Sequence, residues 1–276
     1  EYAPDICFHL EIHPALLSEE LKEELAVLPS GLLHLEAGIQ SLREPVLEKS
    51  RRIGKLSDAL QGLKYLCSLK NMETHADLIA GLPLYHLSEI FEDVRTLAEY
   101  GAGEIQLESL KLLPGTEMRR RAEELGIQYS PLPPYEVLRT KEISVEELQT
   151  AHYLSRLLDG FYNTPTWRSI TRTLILENPQ FLHELLDHLV QTDVIDTPLN
   201  LEKRGLIIYD FCKNHYPDYV TQVSIAWIEA GMSLKKIPAE RVKTKRQVPP
   251  DNWEIIYGAY RENLRLCFLP VDEEGH

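Results

Sequence analysis

The sequence lacks several features that would assign it to particular classes of protein. No run of about 18 apolar residues occurs, so no segment is expected to span a membrane. Basic residues are in the minority, with 29 Lys and Arg against 43 Asp and Glu, and the formal net charge is −14. Because nucleic-acid affinity depends on basic charge, we expect neither a nucleic acid nor a membrane as partner.

Cysteine is also scarce. The four cysteines are far apart in the chain, and no C-x-x-C or C-x-x-x-C pair occurs among Cys7, Cys67, Cys212 and Cys267. A cysteine-rich metal site cannot be built from such spacings, and we predict no metal ligand in this chain. Each cysteine stands in an apolar context, which favours buried free thiols in a reducing compartment. The predicted location is the cytoplasm.

What is present is an alternation of strand-like and helix-like segments over residues 1–130. Strands are predicted over 6–12, 31–39, 75–80 and 104–110, each followed by a helical pattern. Such an alternation is typical of βαβ units, which form a parallel sheet. We therefore predict an α/β fold with four parallel strands in sequential order and right-handed crossovers.

The alternation ends at a proline-rich segment. Pro131, Pro133 and Pro134 each lack a backbone donor, so residues 131–143 are predicted to be a linker. Beyond it the pattern is mostly helical. The predicted domains are thus an α/β domain over 1–130, the linker, and a helical domain over 144–276.

The helical domain is predicted to begin at a capping box and to end in a short hairpin. Ser144 and Glu147 have the spacing of the capping box. Residues 253–258 and 263–271 are rich in β-forming side chains and predict the terminal hairpin.

Four motifs close the four predicted strands. They are Glu11-Ile12-His13-Pro14, Glu36-Ala37-Gly38-Ile39-Gln40-Ser41, Asp77-Leu78-Ile79-Ala80-Gly81-Leu82-Pro83 and Leu110-Lys111-Leu112-Leu113-Pro114-Gly115-Thr116. The carboxyl ends of parallel strands meet at one edge of a sheet, where such folds place their ligands. In this order the motifs resemble strands three to six of the radical S-adenosylmethionine (SAM) partial TIM-like barrel. The pattern is similar to that of oxygen-independent coproporphyrinogen oxidase and of the anaerobic Mg-protoporphyrin IX monomethyl ester oxidative cyclase group. The tail resembles the helical domain that ends many cobalamin-binding radical SAM proteins.

The resemblance implies a set of SAM-binding residues. Glu11 would bind the methionyl amino group, Gln40 the ribose or carboxylate, Arg52 the carboxylate and Asp77 the ribose hydroxyls. Gly81 would let the backbone approach the ligand, and the backbone from Lys111 to Leu113 would flank adenine. Structural roles are the alternative at each position. Gln40 could cap the next helix, Asp77 could be a solvated carboxylate, and Arg52 could pair with Glu48 at helical spacing.

Four further histidines lie in or beside the predicted strands. His9, His13, His34 and His75 alternate with apolar residues. A metal site is conceivable because histidine is a common ligand, but packing or strand-end roles are favoured.

The resemblance implies an enzyme that cleaves SAM reductively, with a [4Fe–4S] cluster and cobalamin as further cofactors. Methyl transfer, or radical oxidation or cyclisation of a small-molecule substrate such as a tetrapyrrole, would be its reaction. The C-x-x-x-C-x-x-C segment that holds the cluster in this family does not occur in the sequence. We therefore expect the chain to be a C-terminal fragment, inactive alone, that self-associates through the strand at 6–12. The alternative is a non-catalytic scaffold whose helical domain binds a partner protein.

Overall fold

The computed structural model describes residues 6–233 and 235–239, together with the backbone of three short strands at 254–256, 259–262 and 265–267. The chain forms two compact units. The first contains Glu1–Asp159 and Ile175–Leu186, and the second contains Gly160–Leu174 and Asp187–His276. Within the described residues, no helix combines the length and the apolar character needed to cross a membrane.

A four-stranded parallel sheet lies at the centre of the first unit. Its strands, in spatial order, are β1 (Phe8–Ile12), β2 (Leu33–Gln40), β3 (Glu73–Ala80) and β4 (Glu104–Ser109). Each strand pairs in parallel with the next. The structure therefore confirms the predicted α/β class and the sequential order of the strands. The arrangement is consistent with part of a TIM-like barrel.

Seven helices of the described chain belong to the first unit. They are α1 (Glu19–Val27), α2 (Glu44–Lys49), α3 (Leu56–Ser68), α4 (Leu87–Tyr100), α5 (Glu117–Arg120), α6 (Ala122–Leu125) and α7 (Val145–Leu157). Their ends follow local rules. Ser144 and Glu147 form the predicted capping box of α7. Gly101 ends α4 with φ of 81°, in the left-handed region that glycine adopts without strain.

The two faces of the sheet differ in polarity because side chains alternate along each strand. One face is apolar and carries the buried side chains Leu35, Ala37, Ile39, Ala76, Leu78, Ala80, Ile105 and Leu107. Helices α3 and α4 pack on it. The opposite face, here called the inner face, is formed by His9, Glu11, His34, Glu36, Gly38, Gln40, His75, Asp77, Ile79, Glu104, Gln106 and Glu108. The buried apolar side chains of β2, β3 and β4 thus lie on one side of the sheet.

The segment predicted as a linker, 131–143, contains a strand. Strand β6 (Val137–Arg139) pairs antiparallel with β5 (Gln128–Tyr129). The same segment runs along the chain that follows β4, where Val137 N donates to Leu110 O at 2.8 Å and Leu112 N donates to Tyr135 O at 2.9 Å. These contacts place it in the first unit. Whether 1–130 and 144–276 fold as separate domains stays a prediction.

The second unit is mostly helical. It contains α10 (Leu201–His215) and α11 (Val220–Glu229), and it shares α8 (Pro165–Glu177) and α9 (Phe181–Gln191) with the first unit. Trp167 and Trp227 are fully buried in it, and both pack against Gly205 of α10, where a Cβ atom would lie 2.5 Å and 2.9 Å from their rings.

The C-terminal β-prone segments form more than a hairpin. Three antiparallel strands follow one another, β7 (Glu254–Ile256), β8 (Ala259–Glu262) and β9 (Arg265–Cys267). Strands β7 and β9 lie within the predicted segments 253–258 and 263–271, and β8 lies between the two segments, where no strand was predicted. The remaining residues of those two segments lie outside the described residues.

Candidate functional site

A cavity of about 440 Å³ opens at the carboxyl end of the sheet. Four residues that the sequence singled out line it together: Glu11, Gln40, Arg52 and Asp77. They come from β1, from the end of β2, from the chain after α2 and from β3. The topology thus brings side chains that are up to 66 residues apart in sequence to one concave surface.

Glu11 is positioned by the tight turn that follows β1. A 3-10 turn over Pro14–Leu16 begins there, and His13 Nδ1 accepts a hydrogen bond from Ala15 N at 3.3 Å. Pro14 is buried, and its carbonyl lies so close to Gly62 of α3 that a Cβ atom at that glycine would overlap it. Burial and the charge of Arg52 lower the pKa of His13, so its ring is neutral at pH 7.

Gln40 is aimed into the cavity by an irregularity in β2. The register with β3 shifts between Gly38 and Gln40, and Gln40 has φ of 73°, which is rare for a residue with a side chain. Such bulges re-aim side chains and are frequent beside active sites. A Cβ atom at Gly38 would lie 2.9 Å from Gln40 Nε2. The glycine therefore leaves the space that the glutamine side chain occupies.

Arg52 reaches inward from the turn after α2. Arg51 takes φ of 57°, and Arg52 Nη2 donates to Gly38 O at 2.7 Å. Its Nε is buried and has no hydrogen-bond partner among the described residues. Burial lowers the pKa of Arg52, although the guanidinium stays charged at neutral pH. The guanidinium of Arg52 thus lies in the cavity wall, and its Nε–H can still donate a hydrogen bond to a ligand.

Asp77 is the carboxylate with the most perturbed acidity in the cavity. Burial, together with the charges of Glu36, Glu11 and Glu108, raises the pKa of Asp77 to about 6. Its Oδ1 is buried without a hydrogen-bond partner in the described part of the chain. The ionised form of Asp77 is therefore destabilised, and a hydrogen-bond donor or a cation in the cavity would stabilise it.

The three remaining predicted residues lie outside the cavity lining. Gly81 follows β3 with φ of 90°, and a Cβ atom there would lie 3.3 Å from Val137 Cγ1, so this glycine makes room for β6. The Lys111 ammonium pairs with Glu108 at 3.4 Å. Leu113 is exposed. Their assigned ligand contacts stay predictions.

Other residues line the cavity that sequence reasoning did not name as ligand contacts. Glu36, Gln106 and Glu108 are among them. The signal was present in the sequence, since polar residues recur at every second position in Glu104-Ile105-Gln106-Leu107-Glu108. Such alternation predicts one polar face on a strand.

The groups in the cavity wall are chemically complementary to those of SAM. SAM offers an ammonium, a carboxylate, a ribose diol and an aromatic base, and the wall offers carboxylates, a guanidinium and amides. The unpartnered buried atoms Arg52 Nε and Asp77 Oδ1 are the kind that a polar ligand satisfies. Among the described residues, no three His, Cys, Asp or Glu side chains are placed to hold a metal ion.

Three cysteines have described side chains. Burial raises the pKa of Cys67 to about 11 and that of Cys212 to about 12, so both are neutral thiols at pH 7 while no metal is bound. Cys7 is exposed, contrary to the expectation of a buried thiol, because it precedes the edge strand β1.

Comparison with known proteins gives a partial family match. Residues 123–229, from within α6 to the end of α11, match a family described as "Protein of unknown function (DUF4080)". No curated protein matches the sequence.

Solved structures with related architecture include two of TsrM from Kitasatospora setae, a radical SAM methyltransferase. One holds cobalamin and a [4Fe–4S] cluster (18% identity, TM-score 0.38, 50% of this chain and 29% of that chain). The other holds tryptophan and the SAM analogue aza-SAM (17% identity, TM-score 0.37, 48% of this chain and 27% of that chain). A third is HemN, the radical SAM coproporphyrinogen III oxidase of Escherichia coli (14% identity, TM-score 0.35, 54% of this chain and 38% of that chain). The match therefore spans less than two-fifths of each of these proteins, and the case for a function rests on the geometry of the cavity.

Proposed function

We propose that this chain forms the SAM-binding wall of a radical SAM enzyme and carries that enzyme's C-terminal helical part. The observation that supports the proposal is the convergence of Glu11, Gln40, Arg52 and Asp77 on one cavity at the carboxyl edge of a parallel sheet. Glu11, Gln40 and Asp77 belong to three of the motifs that resemble the radical SAM barrel. Arg52 lies twelve residues after Gln40.

Each group of SAM has a chemically matched partner in the wall. The guanidinium of Arg52 has the fork of donors that suits a carboxylate. Glu11 is exposed at the cavity rim, where it can pair with the ammonium. Asp77 is the register partner of Gly38, Gln40 lies two residues further along β2, and both line the cavity, where they can offer acceptors and donors to the ribose hydroxyls.

The parent enzyme is proposed to use a [4Fe–4S] cluster and cobalamin, which would supply electron transfer and methyl transfer or radical oxidation when bound. The residues of this chain bind and orient SAM and exclude water from it. A tetrapyrrole is one candidate substrate and cyclisation one candidate reaction, as the sequence motifs imply. On this proposal the chain alone is inactive.

Adjacent arginines provide a matched test of the binding role. Arg52→Ala in the parent enzyme, reconstituted anaerobically, is expected to weaken SAM binding by about 1.5–3 kcal/mol, or about 10- to 150-fold, because a charge-assisted contact is lost. Isothermal titration calorimetry measures this. Iron content should be unchanged, because no thiolate is altered.

Arg51→Ala is the control. Arg51 is exposed and pairs with Glu117 at 3.3 Å, away from the cavity lining, so its loss should change SAM affinity by less than about threefold. Equal affinities for the Arg52 and Arg51 variants would reject the placement of the SAM carboxylate. No SAM binding by the wild-type enzyme would reject the proposed function and favour the scaffold alternative.

A further inference from the structure

A buried aspartate holds the loop that joins β2 to α2. Asp93 of α4 is 1% exposed and does not line the cavity. Its Oδ2 accepts hydrogen bonds from Leu42 N at 2.8 Å and from Ser41 Oγ at 3.4 Å. Its Oδ1 accepts one from Arg43 Nε at 2.9 Å. All three residues of this loop therefore bond to one carboxylate.

The same carboxylate also binds the loop that joins β3 to α4. Tyr85 of that loop is fully buried, and its hydroxyl donates to Asp93 Oδ2 at 2.6 Å. Gln40 ends β2, and Asp77 lies in β3. Asp93 thus joins the loops that follow the two strands carrying these cavity residues. Buried networks whose polar groups are paired make the segments that they join rigid.

The backbone conformation of Gln40 requires support from its surroundings. Its φ of 73° lies in the left-handed region, which residues with a Cβ atom adopt only where neighbouring structure enforces it. Ser41 follows directly and is fully buried, and its Oγ also accepts a hydrogen bond from Arg43 N at 3.1 Å. A rotation of Gln40 to an extended φ would move Ser41 away from Asp93.

We propose that Asp93 is a positioning residue of the SAM site. It fixes the loop after Gln40, so that this residue keeps its left-handed backbone and its amide stays in the cavity. The inference rests on the proposed function, because it takes SAM as the molecule that the amide contacts. Asp93 acts through the backbone of Ser41 and touches no ligand itself.

Asp93→Asn releases the loop with little change in side-chain volume. An aspartate offers acceptors on both oxygens, whereas an asparagine presents a donor on one arm. Arg43 Nε and Leu42 N can only donate, and they bond to different oxygens of Asp93. Whichever way the asparagine amide turns, one of these two contacts is lost. The variant therefore weakens the anchor and leaves the core filled.

Thermal unfolding of this chain tests the anchor without SAM. With Asp93 intact, the Gln40→Gly variant is expected to unfold about 2–4 °C above Gln40→Ala, because only glycine takes a positive φ without strain. When Asp93→Asn is added to both, the difference should vanish or change sign, since alanine is the more stable residue at an unstrained position. Circular dichroism follows the unfolding and shows that each variant is folded.

SAM binding by the reconstituted parent enzyme tests what Asp93 does for the site. Gln40→Ala should weaken binding by about 2- to 10-fold, as expected for one hydrogen bond, and Asp93→Asn by a similar factor. The double variant should bind no more than about twofold more weakly than Gln40→Ala, because both changes remove the same contact. Glu92→Gln is the matched control. Glu92 neighbours Asp93 and pairs with the same Arg43 at 2.7 Å, but it is exposed, so its loss should change affinity by less than about twofold.

Three results would overturn the proposal. One is a Gln40→Ala chain more stable than Gln40→Gly while Asp93 is intact, a comparison that leaves the buried aspartate unchanged. Another is a difference between these two variants that survives Asp93→Asn. The third is an effect of Asp93→Asn on SAM affinity that is absent, or that is equally large in the Gln40→Ala background, since the aspartate would then not act through Gln40. A wild-type enzyme that binds no SAM rejects the proposed function instead, and the unfolding comparison still decides whether Asp93 holds Gln40.

Discussion

Replacing Asp77 by Asn is expected to stabilise the folded chain at pH 8 but hardly at all near pH 4. Asp77 lies on the inner face with four other carboxylates, and burial together with three of them, Glu36, Glu11 and Glu108, raises the pKa of its side chain from the ordinary 3.8 to about 6. The fold therefore favours the protonated acid. At neutral pH it is the ionised form that lowers stability.

The size of the effect follows from linkage. Between pH 3.8 and about 6 the folded chain binds more protons at Asp77 than the unfolded chain does, so stability falls as the pH rises through that window. Above about pH 6, Asp77 is ionised in both the folded and the unfolded chain, and the whole free-energy cost of ionising it in the fold is present. The difference between the two pKa values corresponds to about 3 kcal/mol, which solvent screening of this partly buried group reduces to about 1–2 kcal/mol. Asparagine carries no charge and removes this cost.

Thermal unfolding followed by circular dichroism measures the difference. At pH 8 the Tm of the Asp77→Asn variant should exceed that of the wild type by about 2–8 °C, and near pH 4 most of this gain should disappear. Glu23→Gln, at an exposed position of α1, should change stability by less than about 0.5 kcal/mol at either pH. A gain of equal size at both pH values would refute the electrostatic reasoning, as would a loss at pH 8.

Two further predictions concern packing and association. Gly62→Ala should lower the free energy of unfolding by about 1–3 kcal/mol, because the new methyl group overlaps the Pro14 carbonyl and outweighs a gain in helix propensity of about 1 kcal/mol. Urea unfolding tests this, with Gln61→Ala at the exposed neighbouring position expected to be neutral; an unchanged Gly62→Ala midpoint would contradict the tight fit. In the sheet as described, β1 has a neighbour on one side only, and Phe8 and Leu10 are about half exposed, so we predict self-association that Leu10→Lys reduces. Sedimentation velocity that shows a wild-type monomer at every concentration would exclude it.

Local patterns in the sequence predicted the sheet well. Strand and helix periodicity placed the four parallel strands in their observed order, and the Ser144–Glu147 spacing predicted the start of α7. Both signals depend on neighbouring residues alone. The motif that ends in Pro14, the first residue of the turn after β1, is likewise local in the sequence.

The features that the sequence did not reveal depend on contacts between distant residues. Val137 is in a strand because it pairs with Tyr129 of β5, and the prolines between them do not predict that pairing. Arg52 points inward because α2 ends at Lys49 and the Gly38 carbonyl accepts a hydrogen bond from Arg52 Nη2. The His34–His75 contact requires the register of two strands, which periodicity does not supply.

The one-sided core of the sheet has a consequence for how this chain tolerates mutation. In closed barrels of this kind, apolar side chains usually fill the interior as well. Here successive residues of one strand alternate between the apolar core, which stabilises the fold, and the polar inner face, which lines the cavity. Changes at Ala37 or Leu78 would be selected against through loss of fold, whereas Glu36 and Asp77 line the cavity and do not fill the core. The inner positions are therefore free to acquire new ligands in related chains while the scaffold beneath them is kept.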